Sequence, residues 1–400
     1  MKIAIIGGGP AGLYFAILMK KLDPRHEIRV LERDGPNDTF GWGIVFSDQT
    51  FSYLSDNDRE SFLDITRNCE TWDNVDVVHR GQKISVRGNR FSGIARIRFL
   101  NILHRRCREL GVDLRFRTAV SDVSEVGACD LLVGADGANS LVRRAYQEIF
   151  QPSLDVRRNK YIWLGTRQLF HGLTLTFREN EAGLFIAHSY KFNKTTSTFI
   201  VECSADVWAR AGLAAMSSEE TCRYLAGVFR DDLGGHELLS NNFVKWINFV
   251  LIKNRRWSHQ NIVLLGDALH TVHFSIGSGT KLALEDAIAL AQCFAAHADV
   301  EAALARFERV RKPVVEAYQD AAYSSLVWFE NARDDLALEP IPFAYRLMTR
   351  SDRINYEKLK KRDPEFVAAY DAWQEKSKMV HEGHEEAPKG HGQMNGIKPH

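Results

Sequence analysis

Gly7, Gly9 and Gly12 punctuate the segment IIGGGPAG near the start of the chain. A G-x-G-x-x-G spacing brings bare backbone against a phosphate. The first glycine permits a tight turn, the second lets a pyrophosphate approach, and the third lets a helix pack closely on the preceding strand. Pro10 and Ala11 then begin a helix whose free N–H groups and positive dipole end face the anion. Glu32, about twenty residues further on, is placed to accept from ribose hydroxyls, with Arg33 beside it; a carboxylate there argues against a 2′-phosphate. The match gains weight from its setting, because KIAII before it and EIRVLERD after it complete strand, turn, helix and strand. Alone, the motif points to a dinucleotide, NAD or FAD.

A second group suits work on a substrate. His188 and Tyr190 alternate in FIAHSY and share one face of a strand. His188 is the first candidate for a base near an acidic substrate proton, and His270 and His273 are weaker ones. Trp42, Trp163 and Phe274 are candidates for an aromatic wall. Arg87 and Arg90 in VRGNR, Arg157, Arg158 and Lys160 in RRNK, and Arg255 with Arg256 are candidates for holding phosphate groups. The six cysteines are scattered without a C-x-x-C pair, so no metal site is expected and a reducing cytoplasm suits them.

These residues need elements to carry them. After the glycine turn, Gly12, Phe15, Ala16 and Met19 fall on one face of a helix. Residues 35–50 mix glycines and polar residues with aromatics and read as a loop over the cofactor. Thr-, Val-, Ile- and Phe-rich stretches such as LTLTF and STFIVEC read as strands of a second, sheet-rich unit. A helix from about Phe99 to Leu110 stops at Gly111, and helices run through EDAIALAQCFAA and from Val300 to Ala332. The tail from Lys378, polar and rich in Gly and His, is expected to be disordered.

At 400 residues and 45% hydrophobic content, the chain has room for more than one folded unit around a large core. Its 52 Lys and Arg nearly cancel its 51 Asp and Glu, so neither nucleic acid nor a membrane surface is an expected partner. No apolar run reaches the roughly 18 residues a membrane helix needs, and the chain opens on a strand without a signal peptide's apolar region.

Two further segments carry a resemblance. DLLVGADGANSLVR (Asp130 to Arg143) and LLGDALHTVHFSIGSGTKLALEDA (Leu264 to Ala287), in order after the glycine turn, resemble the "DG" and "GD" segments of the single-component flavin aromatic hydroxylases, the class that includes p-hydroxybenzoate hydroxylase. The resemblance implies FAD, held also by Trp42, Gly43, Arg96, Asp136, Gly137, Gly266 and Asp267, with Gly277, Gly279, Thr280 and Lys281 beside the isoalloxazine. It implies an α/β fold: a Rossmann-like, glutathione-reductase-type FAD-binding domain (1–70, 96–155 and 253–330), an inserted sheet-rich substrate domain (71–95 and 156–252) and a C-terminal helical segment (331–377), before the tail at 378–400. NADH or NADPH would dock transiently, since the chain has no second dinucleotide motif, and O2 would be activated as a flavin C4a-hydroperoxide.

GWGIVFS, RNKYIWLGTRQLF and FAYRLMTRSDRINYEKLKKRDPEF narrow the likeness to the branch that contains the salicylyl-CoA 5-hydroxylases and a tryptophan-derivative hydroxylase. That branch implies an aromatic acyl-CoA substrate, salicylyl-CoA becoming gentisyl-CoA, with a free aromatic acid or tryptophan derivative as the alternative. A dehydrogenase or a flavin-binding protein without hydroxylation is the alternative from another class. Phe274 stands where the wider family has proline and Lys281 where it has asparagine, so Phe274 joins His188 and Tyr190 as a candidate catalytic position.

Overall fold

The structure is a computed structural model that describes residues 1–38, 40–241, 245–351 and 353–385. Lys2–Ile6 is apolar enough to be covered on both faces, and it lies inside a six-stranded sheet in the order Ser258–His259, Ile262–Leu264, Leu131–Gly134, Lys2–Ile6, Glu27–Leu31, Asp113–Arg115. All its neighbouring pairs are parallel except the terminal hairpin Ser258–His259 with Ile262–Leu264.

The helix Pro10–Leu22 differs from expectation. Every residue from Ala11 to Met19 is buried, so it shows no solvent face. The cause is its position: the helices Arg96–Glu109 and Gly279–Ala296 pack against it while its other side meets the sheet. The helix Arg96–Glu109 starts three residues earlier than Phe99 and turns off at Gly111, whose φ of 76° only glycine adopts freely.

An eight-stranded sheet carries the second layer, with Pro152–Thr166, Ser197–Cys203, Gly183–Lys191 and Leu173–Asn180 in antiparallel order and Val75–His79 and Gln82–Val86 at one edge. Residues 35–50 are not wholly loop. Gly43–Ser47 is a strand paired with Phe91–Ala95, and Asp48–Asn57 is a helix. Ile44 and Phe46 alternate into the core at 5% and 0% exposure, a two-residue period hidden among the flanking glycines. That strand is fastened to the large sheet by a reciprocal clasp. A β-carbon on Gly41 would meet the Trp163 ring at 2.7 Å, and one on Gly165 would meet Trp42 at 2.7 Å. Thr198 Oγ1 accepts from the Gly43 amide at 3.0 Å.

The C-terminal helices Pro340–Thr349, Tyr356–Arg362 and Pro364–Glu385 close over the far edge of the large sheet, where Phe343 stacks on His79 at 4.0 Å. The last helix continues past Lys378, where disorder was expected to begin; residues 386–400 lie outside the described residues. Among the described residues no helix is long and apolar enough to cross a membrane.

A buried ion network joins Gly279–Ala296 to the long helix Val300–Glu330. Asp286, fully buried, accepts from Arg311 Nε at 2.8 Å and contacts His270 Nε2 at 2.8 Å, while Gly266 N donates to it at 3.3 Å. Arg311 also reaches Glu285 at 2.8 Å, and Glu285 pairs with Lys281 at 2.6 Å. Burial pushes the Asp286 carboxyl up, but His270 and Arg311 outweigh it and hold it below the usual carboxylate range.

Two outcomes follow from these burials. Arg311→Leu leaves Asp286 and Glu285 without their shared cation, and chemical denaturation should show a loss of about 3–5 kcal/mol. His104 is buried with neither ring nitrogen partnered, and burial first, then Arg108, lowers it to about 4. A histidine lowered in the folded state contributes stability above about pH 6.5 that is lost as pH falls toward 4. His104→Phe should therefore flatten the acid side of the thermal-midpoint profile by an amount on the order of 2–3 kcal/mol; an unchanged slope would reject the assignment.

Candidate active site

One cavity of about 1070 Å³ begins at the glycine turn, crosses between the two sheets and opens beside the C-terminal helices. That lies at the upper end of the roughly 300–1,000 Å³ range of small-molecule pockets, a size that suits an extended ligand.

At its inner end Gly7 adopts φ 107° and turns so tightly that a β-carbon would lie 2.2 Å from the Ala135 carbonyl oxygen. Gly12 is the helix–strand contact, with room for no β-carbon against Gly7 O at 2.4 Å. Gly9 meets nothing within 4 Å; its open face, with Pro10 and Ala11, lines the cavity. Glu32 accepts from the amides of Gly8 at 2.7 Å and Asp34 at 2.9 Å, so it also shapes the turn, and Arg33 is exposed. Neither lines the cavity.

The later segments arrive from across the sheet. Asp136 accepts from Leu141 N, the first amide of the short helix Leu141–Ala145, at 2.6 Å and leaves Oδ1 buried without a partner, while Gly137 faces the cavity. Arg143 ties this segment to the next by donating to Ala268 O at 2.9 Å. Gly266 and Asp267 follow on the cavity wall. The Asp267 side chain opens onto the cavity while protein encloses it; that enclosure raises its carboxyl, with Arg96 pulling the other way. Arg96 starts its helix with its amide on Trp42 O at 2.9 Å, and its Nε is buried without a partner. An unpartnered guanidinium, a carboxylate and an open glycine turn on one wall fit the phosphates and hydroxyls of a dinucleotide. Gly277, Gly279 and Thr280 complete that wall, whereas the Lys281 side chain is committed to Glu285 and to Tyr318 Oη at 2.8 Å.

Further out the walls are aromatic. Phe274 lies 4.8 Å from Tyr161, 5.2 Å from His188 and 4.1 Å from His273, ring centre to ring centre. His188 Nε2 lies 3.2 Å from Glu202 Oε2 outside hydrogen-bond geometry, and His188 lines the cavity. Burial raises the Glu202 carboxyl, but its close contact with His188, then His273 and Asn159, bring it below its ordinary value. His273 is lowered to about 4 by burial. The Tyr190 hydroxyl is spent on Gly43 O at 2.8 Å, and burial pushes its pKa up, so it fastens the cavity wall.

Of the expected phosphate ligands only Arg90 reaches the cavity. Arg157 is held by Asp155 at 2.7 Å and Glu330 at 2.6 Å, Lys160 by Asn248 at 2.6 Å, and Arg87 reaches Glu365 at 3.5 Å; none of these, nor Arg158, lines it. Trp42 backs the wall from behind, packed on Gly165. The residues missed are Glu202, Tyr318 and the cations Arg350, Arg353, Lys358 and Arg362. Arg350 bridges Ser325 Oγ at 2.8 Å and Ser275 O at 3.0 Å, so it pins the middle of the GD segment to the long helix. The density of basic residues in RLMTRSDRINYEKLKKR was the available signal.

A family described as FAD binding domain matches residues 1–322. Salicyloyl-CoA 5-hydroxylase of a Streptomyces species is 42% identical over 93% of this chain and 74% of its own length. Protodeoxyviolaceinate monooxygenase of Chromobacterium violaceum is 37% identical over 86% of this chain and 92% of its own. The 3-hydroxy-4-methyl-anthranilyl-[aryl-carrier protein] 5-monooxygenase of Streptosporangium sibiricum is 36% identical over 84% and 93%. The fold matches crystal structures of 2-methyl-3-hydroxypyridine-5-carboxylic acid oxygenase (TM-score 0.69, 19% identity, 90% of this chain and 98% of that one) and of PqsL from P. aeruginosa (0.66, 20%, 84% and 98%). The chain belongs to the FAD-binding-domain family, which it matches over residues 1–322, and is a flavin-dependent aromatic monooxygenase.

Proposed function

We propose that this chain hydroxylates an aromatic ring presented as a CoA thioester, salicylyl-CoA giving its 5-hydroxy product, with NADH or NADPH and O2 as co-substrates. The observation that carries this reading is the continuity of the cavity, which joins the dinucleotide cradle at Gly9 to an aromatic box around Phe274 and His188. Relatives that act, by name, on salicyloyl-CoA and on an anthranilyl group borne by an aryl-carrier protein support the CoA form.

FAD, when bound, would supply the redox chemistry that couples oxidation of NADH or NADPH to activation of O2. The chain's own residues do the rest. The helix start after Gly9 and the Arg96 guanidinium would hold the phosphates, Asp267 would accept from hydroxyls of the sugar chain, and the helix start at Gly279 and Thr280 would offer its positive end to the flavin. Tyr161, Trp163, Phe249 and Phe274 clamp the substrate ring and keep water out. His188 takes the phenol proton, and Glu202 behind it stabilises the imidazolium that results.

Stopped-flow reduction of the FAD-loaded protein by NADH should be accelerated by salicylyl-CoA. Acceleration by salicylate or a tryptophan derivative alone would reject the CoA reading, and failure to take up FAD at all would reject the cofactor site. His188→Gln should lower ring hydroxylation by roughly a hundredfold or more while flavin reduction persists; equal loss of both steps would mean a structural role.

A further inference from the structure

We infer that the outer rim of the cavity is a binding site for the phosphates of a CoA thioester, formed by Arg353, Lys358 and Arg362 with Arg90. This deepens the proposed function and rests on it.

Charge separates this rim from the rest of the surface. The chain as a whole is nearly neutral at +1, yet among the described residues lining the cavity seven are Arg or Lys and two, Asp48 and Asp267, are acidic. Several arginines elsewhere are held by carboxylates, as Arg106 is by Asp58, Arg178 by Asp232 and Arg157 by Glu330. The rim cations instead rest on neutral groups. Arg362 Nη1 donates to Asn89 Oδ1 at 3.1 Å, Lys358 Nζ donates to the Arg353 carbonyl at 3.1 Å, and Arg353 lies over the Tyr318 ring at 4.3 Å. Arg90 has only a loose 3.6 Å contact with Asp48, both side chains being more than half exposed. Several positive charges thus face one opening with little counter-charge, the arrangement that binds a polyanion.

The mount is rigid although the side chains are exposed. Lys358 and Arg362 are four residues apart in the helix Tyr356–Arg362 and so share a face. Asn355 caps that helix by accepting from Lys358 N at 3.0 Å, and Asp363 at its end accepts from Arg87 N at 2.7 Å, fixing it to the turn that carries Asn89 and Arg90. Gly88 packs so tightly on Arg362 that a β-carbon would come within 2.9 Å of its carbonyl oxygen. Between rim and aromatic box the lining includes Val75, Leu173, Met348 and Ile354. The cavity therefore presents an aromatic end, an apolar middle and a cationic mouth. A ligand with an aryl head, an uncharged arm and a phosphorylated tail matches that order, and an aryl-CoA has it.

The test compares salicylyl-CoA with salicylyl-pantetheine, which carries the same aryl thioester and arm without phosphates, and uses CoA itself as a probe of the rim alone. Calorimetry on the FAD-loaded protein should show CoA binding that weakens as salt rises. In the triple variant Arg353→Gln, Lys358→Gln, Arg362→Gln, CoA binding should be lost and the KM for salicylyl-CoA should rise roughly tenfold to a hundredfold. The KM and kcat for the pantetheine ester should stay as they were. The single variant Lys358→Glu, on an exposed side chain, should move the CoA affinity in the same direction and covers a triple variant that fails to fold. CoA binding equal in variant and parent, no CoA binding by the parent, or equal KM increases for both esters would each overturn the site. If CoA binds at the rim but only free salicylate accelerates flavin reduction, the hydroxylase substrate reading fails while the rim stands.

Discussion

The cofactor end of this molecule depends on one buried carboxylate. Asp286 lies near the end of the GD segment, in the helix Gly279–Ala296, yet it holds Gly266 and His270 at the start of that segment and Arg311 of the long helix. A buried charge of this kind is costly to strand, so its partners are fixed as a set. The turn that aims Asp267 at the cavity is therefore closed at both ends by one group. Arg143 then carries the constraint to the DG segment through the Ala268 carbonyl.

The substrate end is held by packing and by hydrogen bonds to backbone. Trp42 on Gly165 and Trp163 on Gly41 lock the strand Gly43–Ser47 to the large sheet, and Tyr190 and Thr198 bond to the backbone of Gly43 itself. Arg350, drawn down to about 10 by burial, fastens the Ser275 carbonyl to the long helix. The cavity is thus framed by the six-stranded sheet, the eight-stranded sheet and the C-terminal helices.

The glycine turn was legible because its chemistry is local: a positive φ at Gly7, an open face at Gly9 and a helix start at Pro10 are all set within a few residues. The strand Gly43–Ser47 was not, since its alternation spans only Ile44 and Phe46 and its partner is another fifty residues along. Charged residues were the least legible. Arg157 looks free in RRNK, but Glu330, which neutralises it, lies 173 residues away. The rim cations were equally hidden, because the same stretch of sequence would serve as a solvated helix had it not packed against the turn at Gly88. His188 could be placed on a strand face, whereas its contact with Glu202 required knowing that Gly183–Lys191 and Ser197–Cys203 are neighbours in a particular register.

The central claim is that this cavity transfers oxygen to an aromatic ring. Its most direct test is turnover of salicylyl-CoA by the FAD-loaded protein and NADH under 18O2, with mass spectrometry of the product. The account predicts one labelled oxygen on the ring and none when the label is supplied as water. Consumption of NADH and O2 to hydrogen peroxide, with the aryl thioester recovered unlabelled and unchanged, would contradict it.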